Sequence, residues 1–397
     1  KHGDYSSNVA MITFGKQKQY KNPVELGESI AQQLTINNSP ARNASASVAG
    51  GQLTKNKSWK VVSADIRWHT VEEQTKFPQI LNTEDLDLMH FPYFSVPVNY
   101  KKPYVVTIHD LILNHFPTGK ASTLPAPLHQ LKRVGYKYVL ANAIKNAKKI
   151  IVPLNAVKDD VLKSYNVSAN KIVVTKEGVD SSLRAQRSNP KEIAASHLAP
   201  RNDKGLGRYF LYVGNAYPHK NLDKLIDAFR LFLDYRHPVK RSASRMTDEY
   251  KLILVGKDDF FYKRLERKVL DQGLENEIIF HHDVTDEELA NFYKNALAFI
   301  SPSLMEGFGL PALEAMSLRC IALVSDIPSF KEVCQETAIY FDPNSVDDIK
   351  NKMFEVYALN NKLKQQQIKR GLMRVKLFSW KLMTEQTLEV YNSINKS

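Results

Sequence analysis

The chain has 397 residues, 43% hydrophobic and 24% charged, with a net charge of +13. These values exclude a peptide hormone, a collagen-like repeat, a coiled-coil rod and a wholly disordered chain, and at about 150 residues per domain they allow two or three domains. The positive charge favours anionic partners (nucleic acid, an acidic membrane surface or phosphorylated substrates) without choosing among them. Only Cys320 and Cys334 are present, with no C-x-x-C spacing, which fits a reducing compartment and argues against a disulfide framework or a cysteine metal site. The longest apolar runs, such as Tyr104–Ile108 and Leu252–Val255, are strand-sized and far short of the roughly 20 residues that cross a bilayer. Lys1–Asn8 is polar and lacks the apolar middle of a signal peptide, so a cytoplasmic location is expected.

In chain order, Lys1–Leu34 is set apart from everything downstream by Asn37–Gly51, a stretch too poor in large apolar residues to pack. Short β-branched runs then alternate with helical patterns, the signature of parallel sheets covered by helices. Strands are predicted at Lys60–Val62, Leu88–Phe91, Tyr104–Ile108, Lys149–Val152 and Ile172–Thr175. After a linker over Ser181–Gly207, further strands are predicted at Tyr209–Val213, Lys251–Val255, Glu277–Phe280, Ala298–Ile300, Cys320–Val324 and Ala338–Phe341. A helix over Leu222–Tyr235 leads into a polar surface loop, Arg236–Glu249, and a last helix runs around Trp380–Tyr391. The class is α/β with two sheets. The expected divisions are an atypical segment 1–52, a first Rossmann-like domain 53–180, a linker 181–207, a second Rossmann-like domain 208–375, and a C-terminal helix 376–397 that packs back on the first domain.

The densest chemical signal is the run Ser301–Met316, a strand, a glycine loop and a helix that Pro311 can open. In a doubly wound sheet such a loop lies at the carboxyl edge of the strands, where backbone amides and the positive end of a helix favour a phosphate. Gly307 and Gly309 let the backbone approach a diphosphate, while Glu306 on the loop and Glu314 in the helix can reach different parts of one ligand. Standing alone, a G-x-G would more often be an ordinary turn. Gly214, Asn215 and Lys220 follow the strand Tyr209–Val213 and should enter the same region, with Lys220 supplying a cation.

The string EGFGLPALEAM resembles the E-x7-E signature of the retaining, nucleotide-sugar-dependent glycosyl transferases of group 1. These family 4-like enzymes have the GT-B fold, two facing Rossmann-like domains with an interdomain cleft. FLYVGNAYPHKNLDKLIDAF from Phe210, KLILVGKDD from Lys251, VTDEELANFYKNALAFISPS from Val284, HFPYFSVPV from His90 and VVTIHDLI from Val105 are similar to further family segments. By this resemblance Glu314 holds the donor ribose, Glu306 contacts the transferred sugar, and the amides of Gly307, Phe308, Gly309 and Leu310 hold the sugar and diphosphate. Lys220 faces the leaving diphosphate, and His109 contacts the donor sugar. Many relatives carry a further arginine where this chain has Asn215 and His219. Either the second cation is absent or protonated His219 replaces it. Asp110 reads equally as structural or functional, His90 as acceptor-side or internal, and Gly256–Asp259 as a nucleotide-contact loop or an ordinary turn. The adjacent His281 and His282 do not have metal-ligand spacing, and no metal is expected. Leu131–Tyr138 reads first as a solvated basic helix face and second as a contact for an anionic membrane or lipid-linked acceptor.

The chain departs from the family at its start, where no strand and glycine-rich G-x-G-R-Y loop is seen. The N-terminal domain is therefore expected to be incomplete and activity impaired. Lys1–Leu34 instead resembles the N-terminal region of arginyl-tRNA synthetases, though neither an H-x-G-H nor a K-M-S-K-S string occurs. The stretch from Leu183 to Gly205 looks like a translated repeat insertion. The expected function is transfer of a hexose, mannose by resemblance, from a GDP- or UDP-linked donor to a glycan or lipid-linked acceptor in cell-surface polysaccharide biosynthesis, by an enzyme at or near the inner membrane face. No specific nucleic acid is expected. A glycoside hydrolase, a catalytically impaired nucleotide-sugar binder and a tRNA-binding synthetase remnant are the alternatives.

Overall fold

The computed structural model describes residues 70–84, 86–116, 126–179, 207–236 and 250–394, with isolated positions 62, 64 and 66. The synthetase-like segment, residues 181–206 of the linker with the repeat-like stretch, and residues 237–249 lie outside the described residues, as do Lys60 and Val61; Val62 is in no strand. The described residues fall into two compact units, one within 1–111, 125–178 and 380–397, the other within 112–124 and 179–379.

In the first unit β1 (Met89–Phe91), β2 (Tyr104–Thr107), β3 (Lys149–Val152) and β4 (Ile172–Val174) form a parallel sheet in the order β1-β2-β3-β4. Every residue of β2 is buried, which explains its uninterrupted apolar run: a parallel strand covered on both faces has no polar side to alternate with. Leu88, Val105 and Ile151 pack with Leu388, Val390 and Tyr391 of the helix Trp380–Ile394. That helix therefore shares a core with the first sheet although it follows the second in sequence.

The second unit holds a six-stranded parallel sheet. Its strands are β5 (Arg208–Val213), β6 (Tyr250–Val255), β7 (Ile278–His281), β8 (Ala298–Ser301), β9 (Ala322–Ser325) and β10 (Ile339–Phe341). The spatial order is β7-β6-β5-β8-β9-β10, so the chain winds outward from β5 to one edge, then returns beside β5 and winds to the other. This is the doubly wound order of a dinucleotide-binding sheet, and its switch point lies between β5 and β8, where the two following loops part to opposite faces. Phe210, Phe229, Phe232, Leu252, Leu254, Ile300 and Leu323 belong to one buried cluster that joins the sheet to its helices.

Two backbone details shape the switch-point edge. Gly214 has φ 148° and a side chain there would meet the Tyr212 hydroxyl at 2.9 Å. Gly309 has φ 90°, and a Cβ on it would lie 2.6 Å from Phe330 Cε1. Both positions exclude any residue with a side chain unless the loop moves.

Candidate functional site

The site is built from the loops that leave β5 and β8. After β5 the chain passes Gly214 and Asn215 and makes one 3₁₀ turn, Pro218–Lys220, before Asn221 enters the helix Leu222–Arg236 from a left-handed conformation (φ 59°). Asn221 is buried, and its side-chain amide donates to the carbonyls of Pro302 at 3.1 Å and Pro343 at 2.8 Å. One side chain thus joins the loops after β5, β8 and β10. Leu304 N–H adds a bond to the His219 carbonyl at 2.8 Å. Lys220 and Glu306 are brought together by this stitching. The Lys220 ammonium lies 2.8 Å from both carboxylate oxygens, with the two side chains only 15% and 12% exposed.

Glu306 is held further. Ser303 donates to its Oε1 at 2.7 Å, and Ser329 donates to its backbone carbonyl at 2.6 Å. Gly307 and Phe308 lead to Gly309, which starts the helix Leu310–Ser317 with Pro311 in its first turn. The Phe308 ring is buried against Phe378, so only its backbone can serve a ligand. Leading amides of any helix have no intrahelical acceptor, and proline at the first turn has no N–H to leave unsatisfied. Glu314 lies inside that helix, half-buried, and accepts from the Tyr293 hydroxyl at 3.0 Å.

The neighbouring groups bear on several open alternatives. His219 is buried and its pKa falls to about 4, through loss of solvation and then the Lys220 charge. It is neutral near pH 7, so the reading in which protonated His219 supplies a second cation is corrected by the structure. Asp259 caps the helix Phe260–Asp271 by accepting from the amides of Phe261 and Tyr262, as the ordinary-turn reading of Gly256–Asp259 expects. His282 is bound to the Gly256 carbonyl and Glu266. Among the described residues no three His, Cys, Asp or Glu side chains gather as metal ligands.

In the first unit, His90 is bound through its ring nitrogens to the Tyr391 hydroxyl and to Thr107 Oγ1, and burial, with the charge of His109, lowers its pKa to about 4. Of its two readings, internal packing is the one realised. His109 faces Glu177 through Nδ1 and the Pro92 carbonyl through Nε2, each at 3.0 Å. Burial opposes its protonation, but the Glu177 hydrogen bond and charge outweigh this and raise its pKa. With an acceptor at each nitrogen, the ring is arranged as an imidazolium that donates twice.

Sequence reasoning missed Ser303, Tyr293, Asn221 and Glu177. Only Ser303 left a local trace, a serine three residues before the carboxylate it binds.

A doubly wound sheet with an ion pair and a glycine-started helix at its switch point is the kind of arrangement that suits phosphorylated ligands at the carboxyl ends of its strands. Comparison with known proteins then identifies the family. Residues 198–372 match Glycosyl transferases group 1, and residues 39–183 match Glycosyltransferase Family 4. The chain thus carries a group 1 glycosyl transferase domain and a family 4 glycosyltransferase domain, and its fold is GT-B. It is 31% identical over 215 residues to the O-antigen chain mannosyltransferase RfbU of Salmonella typhimurium, covering 54% of this chain and 52% of that protein. To the O-antigen chain mannosyltransferase B of Escherichia coli it is 31% identical over 268 residues, covering 66% and 65%. The chain thus spans about half to two thirds of the length of these two relatives. The solved structure of sucrose-phosphate synthase from Thermosynechococcus elongatus superposes with a TM-score of 0.63 at 19% identity, over 82% of this chain and 78% of that one.

Proposed function

We propose that this chain is a retaining glycosyltransferase that moves a hexose from a GDP- or UDP-linked donor to a glycan or lipid-linked acceptor in cell-surface polysaccharide biosynthesis. Mannose is the favoured sugar, because both relatives named above are mannosyltransferases. The observation that carries the reading is the Lys220–Glu306 pair at the β5/β8 switch point, beside the start of the helix that bears Glu314.

Breaking the bond between the sugar's anomeric carbon and the diphosphate oxygen leaves charge on the diphosphate. Lys220 and the amides at the start of the helix Leu310–Ser317 are the groups that stabilise it. No metal is needed for this role. Glu306, relieved of Lys220 by the incoming phosphate, accepts hydrogen bonds from the sugar, and Glu314 accepts them from the ribose hydroxyls. The acceptor oxygen bonds to the anomeric carbon on the face the diphosphate leaves, and its proton passes to the departing phosphate oxygen. Gly214 and Asn215 line the donor side. His109 is proposed as a sugar contact, donating to a sugar hydroxyl in place of the Pro92 carbonyl.

No helix among the described residues is long and apolar enough to cross a membrane. Leu131, Val134 and Tyr138 are 69%, 65% and 62% exposed on the helix Ala126–Asn146, beside exposed Lys132, Arg133 and Lys137. This face supports peripheral contact with an anionic cytoplasmic membrane surface, where a lipid-linked acceptor would be presented.

A thermal-shift screen with GDP, UDP and ADP sugars in the presence of EDTA tests the donor site on the wild type and Glu314→Ala. One nucleotide family is expected to raise the wild-type melting temperature without a metal, and the substitution to abolish the rise. A wild type shifted by none of them would remove the donor-site reading.

A further inference from the structure

The proposed donor site requires two carboxylates to meet two different sugar rings, and each is approached by a buried hydroxyl. We infer that Ser303 and Tyr293 are positioning residues, with Ser303 aiming Glu306 at the transferred sugar and Tyr293 aiming Glu314 at the ribose. The inference rests on the donor-site reading and assigns to it two residues that act through others.

The Ser303 side chain is fully buried, and its single proton is committed to Glu306 Oε1 at 2.7 Å. Ser301 Oγ lies 3.2 Å from Ser303 Oγ, so Ser301 must be the donor in that pair. The result is a directed chain, Ser301 to Ser303 to Glu306, in which each bond polarises the next. Lys220 cannot replace it. An ammonium equidistant from both carboxylate oxygens satisfies their charge but does not choose the carboxylate's rotation, which is soft about its last torsion. Ser303 marks one oxygen and therefore sets the plane. When a diphosphate draws Lys220 away, Ser303 is the group that keeps Glu306 aimed.

Tyr293 does the corresponding work from a different element. Its ring is completely buried on the helix Asp286–Asn295, 6.0 Å from that of Phe299 on β8, and its hydroxyl reaches Glu314 Oε2 at 3.0 Å. Burial, and then the charge of Glu314, raises the phenol pKa well above its usual value, so the proton stays on the oxygen and the group remains a donor. The helix that carries Tyr293 is fixed at its start by a reciprocal cap between Thr285 and Glu288. A rigid donor on a capped helix thus fixes the carboxylate placed to meet the ribose.

The two roles separate in a binding experiment. Titration calorimetry on the full chain would compare GDP and UDP with GDP-mannose and UDP-glucose, using wild type, Tyr293→Phe, Ser303→Ala and Ser303→Thr. For the nucleotide that binds, Tyr293→Phe should weaken the free diphosphate and its sugar conjugate alike, each by about tenfold, the scale of one hydrogen bond to a charged group. Ser303→Ala should leave the free diphosphate within about twofold and weaken the conjugate about tenfold, and Ser303→Thr should restore it. Wild-type affinities in both deletion variants would overturn the inference. So would equal losses for the two ligands in Ser303→Ala that threonine does not recover. A wild type that binds none of the four removes the donor-site reading itself, and the inference with it, a result distinct from variants that match a binding wild type.

Discussion

Lys220→Met should cost more stability than removing the whole ion pair. At 2.8 Å and an effective dielectric of about 20, the Lys220–Glu306 attraction is about 6 kcal/mol before either group's loss of hydration is counted. Both side chains are nearly buried, so most of that gain is offset by desolvation, and the net value of the intact pair is small. Removing the lysine alone leaves Glu306 charged, out of water and held by Ser303, a loss of about 3 to 5 kcal/mol. For a unit of roughly 200 residues each kcal/mol moves the melting temperature by about 2 to 4 °C, which puts the expected drop for Lys220→Met at about 6 to 20 °C. The double variant Lys220→Met/Glu306→Gln removes both charges and should recover at least half of the loss while binding no sugar nucleotide. Scanning calorimetry on the wild type, both single variants and the double variant closes the cycle. If the two single losses simply add up to the double, the pair has no coupling and the account of the site as an electrostatic unit is wrong.

Gly309→Ala should destabilise by about 2 kcal/mol or more, because the left-handed backbone and the crowding by Phe330 act together; a melting temperature equal to wild type would show that the loop yields freely. Acid should weaken the fold through the buried histidines. His90 and His219 have folded pKa values near 4 against about 6.5 unfolded, so the unfolded chain binds the protons first. Their contribution is complete above pH 6.5 and is lost as pH falls from there to 4, by up to about 3 kcal/mol for each histidine. Urea unfolding between pH 7 and 4 should show this slope, and His219→Leu should remove about one proton's share of it; an unchanged slope would contradict the burial argument.

The strands of both sheets were legible because parallel strands covered on both sides read as short apolar runs, as Tyr104–Thr107 and Ala298–Ser301 do. That same uniformity hides their phase. The run beginning at Cys320 was expected to be strand throughout, yet β9 starts at Ala322. The preceding helix ends with Arg319 at φ 65° and with the Cys320 amide donating to the Ala315 carbonyl, so these residues belong to the helix cap. A glycine usually announces such a cap, and arginine does not. The glycine loop and its two glutamates were legible for the opposite reason, since Gly307, Gly309 and Pro311 are each tied to a local backbone requirement. The partners that orient the site were not legible. Tyr293 meets Glu314 across 21 residues, Glu177 meets His109 across 68, and Asn221 reaches Pro343 across 122. No periodicity links them. The neutrality of His219 was equally invisible, because it depends on burial rather than on residue type.

The place of β8 beside β5 has a consequence for biogenesis. Lys220 and Glu306 are 86 residues apart, and β6 and β7 are made in the interval. While the chain emerges from the ribosome, β5, β6 and β7 can already pair, leaving β5 as a naked margin that waits for its other neighbour. Only when β8 docks there does the lysine gain its counter-charge. Docking of β8 covers that margin and delivers the counter-charge, and the open edge then passes to β8 until β9 follows.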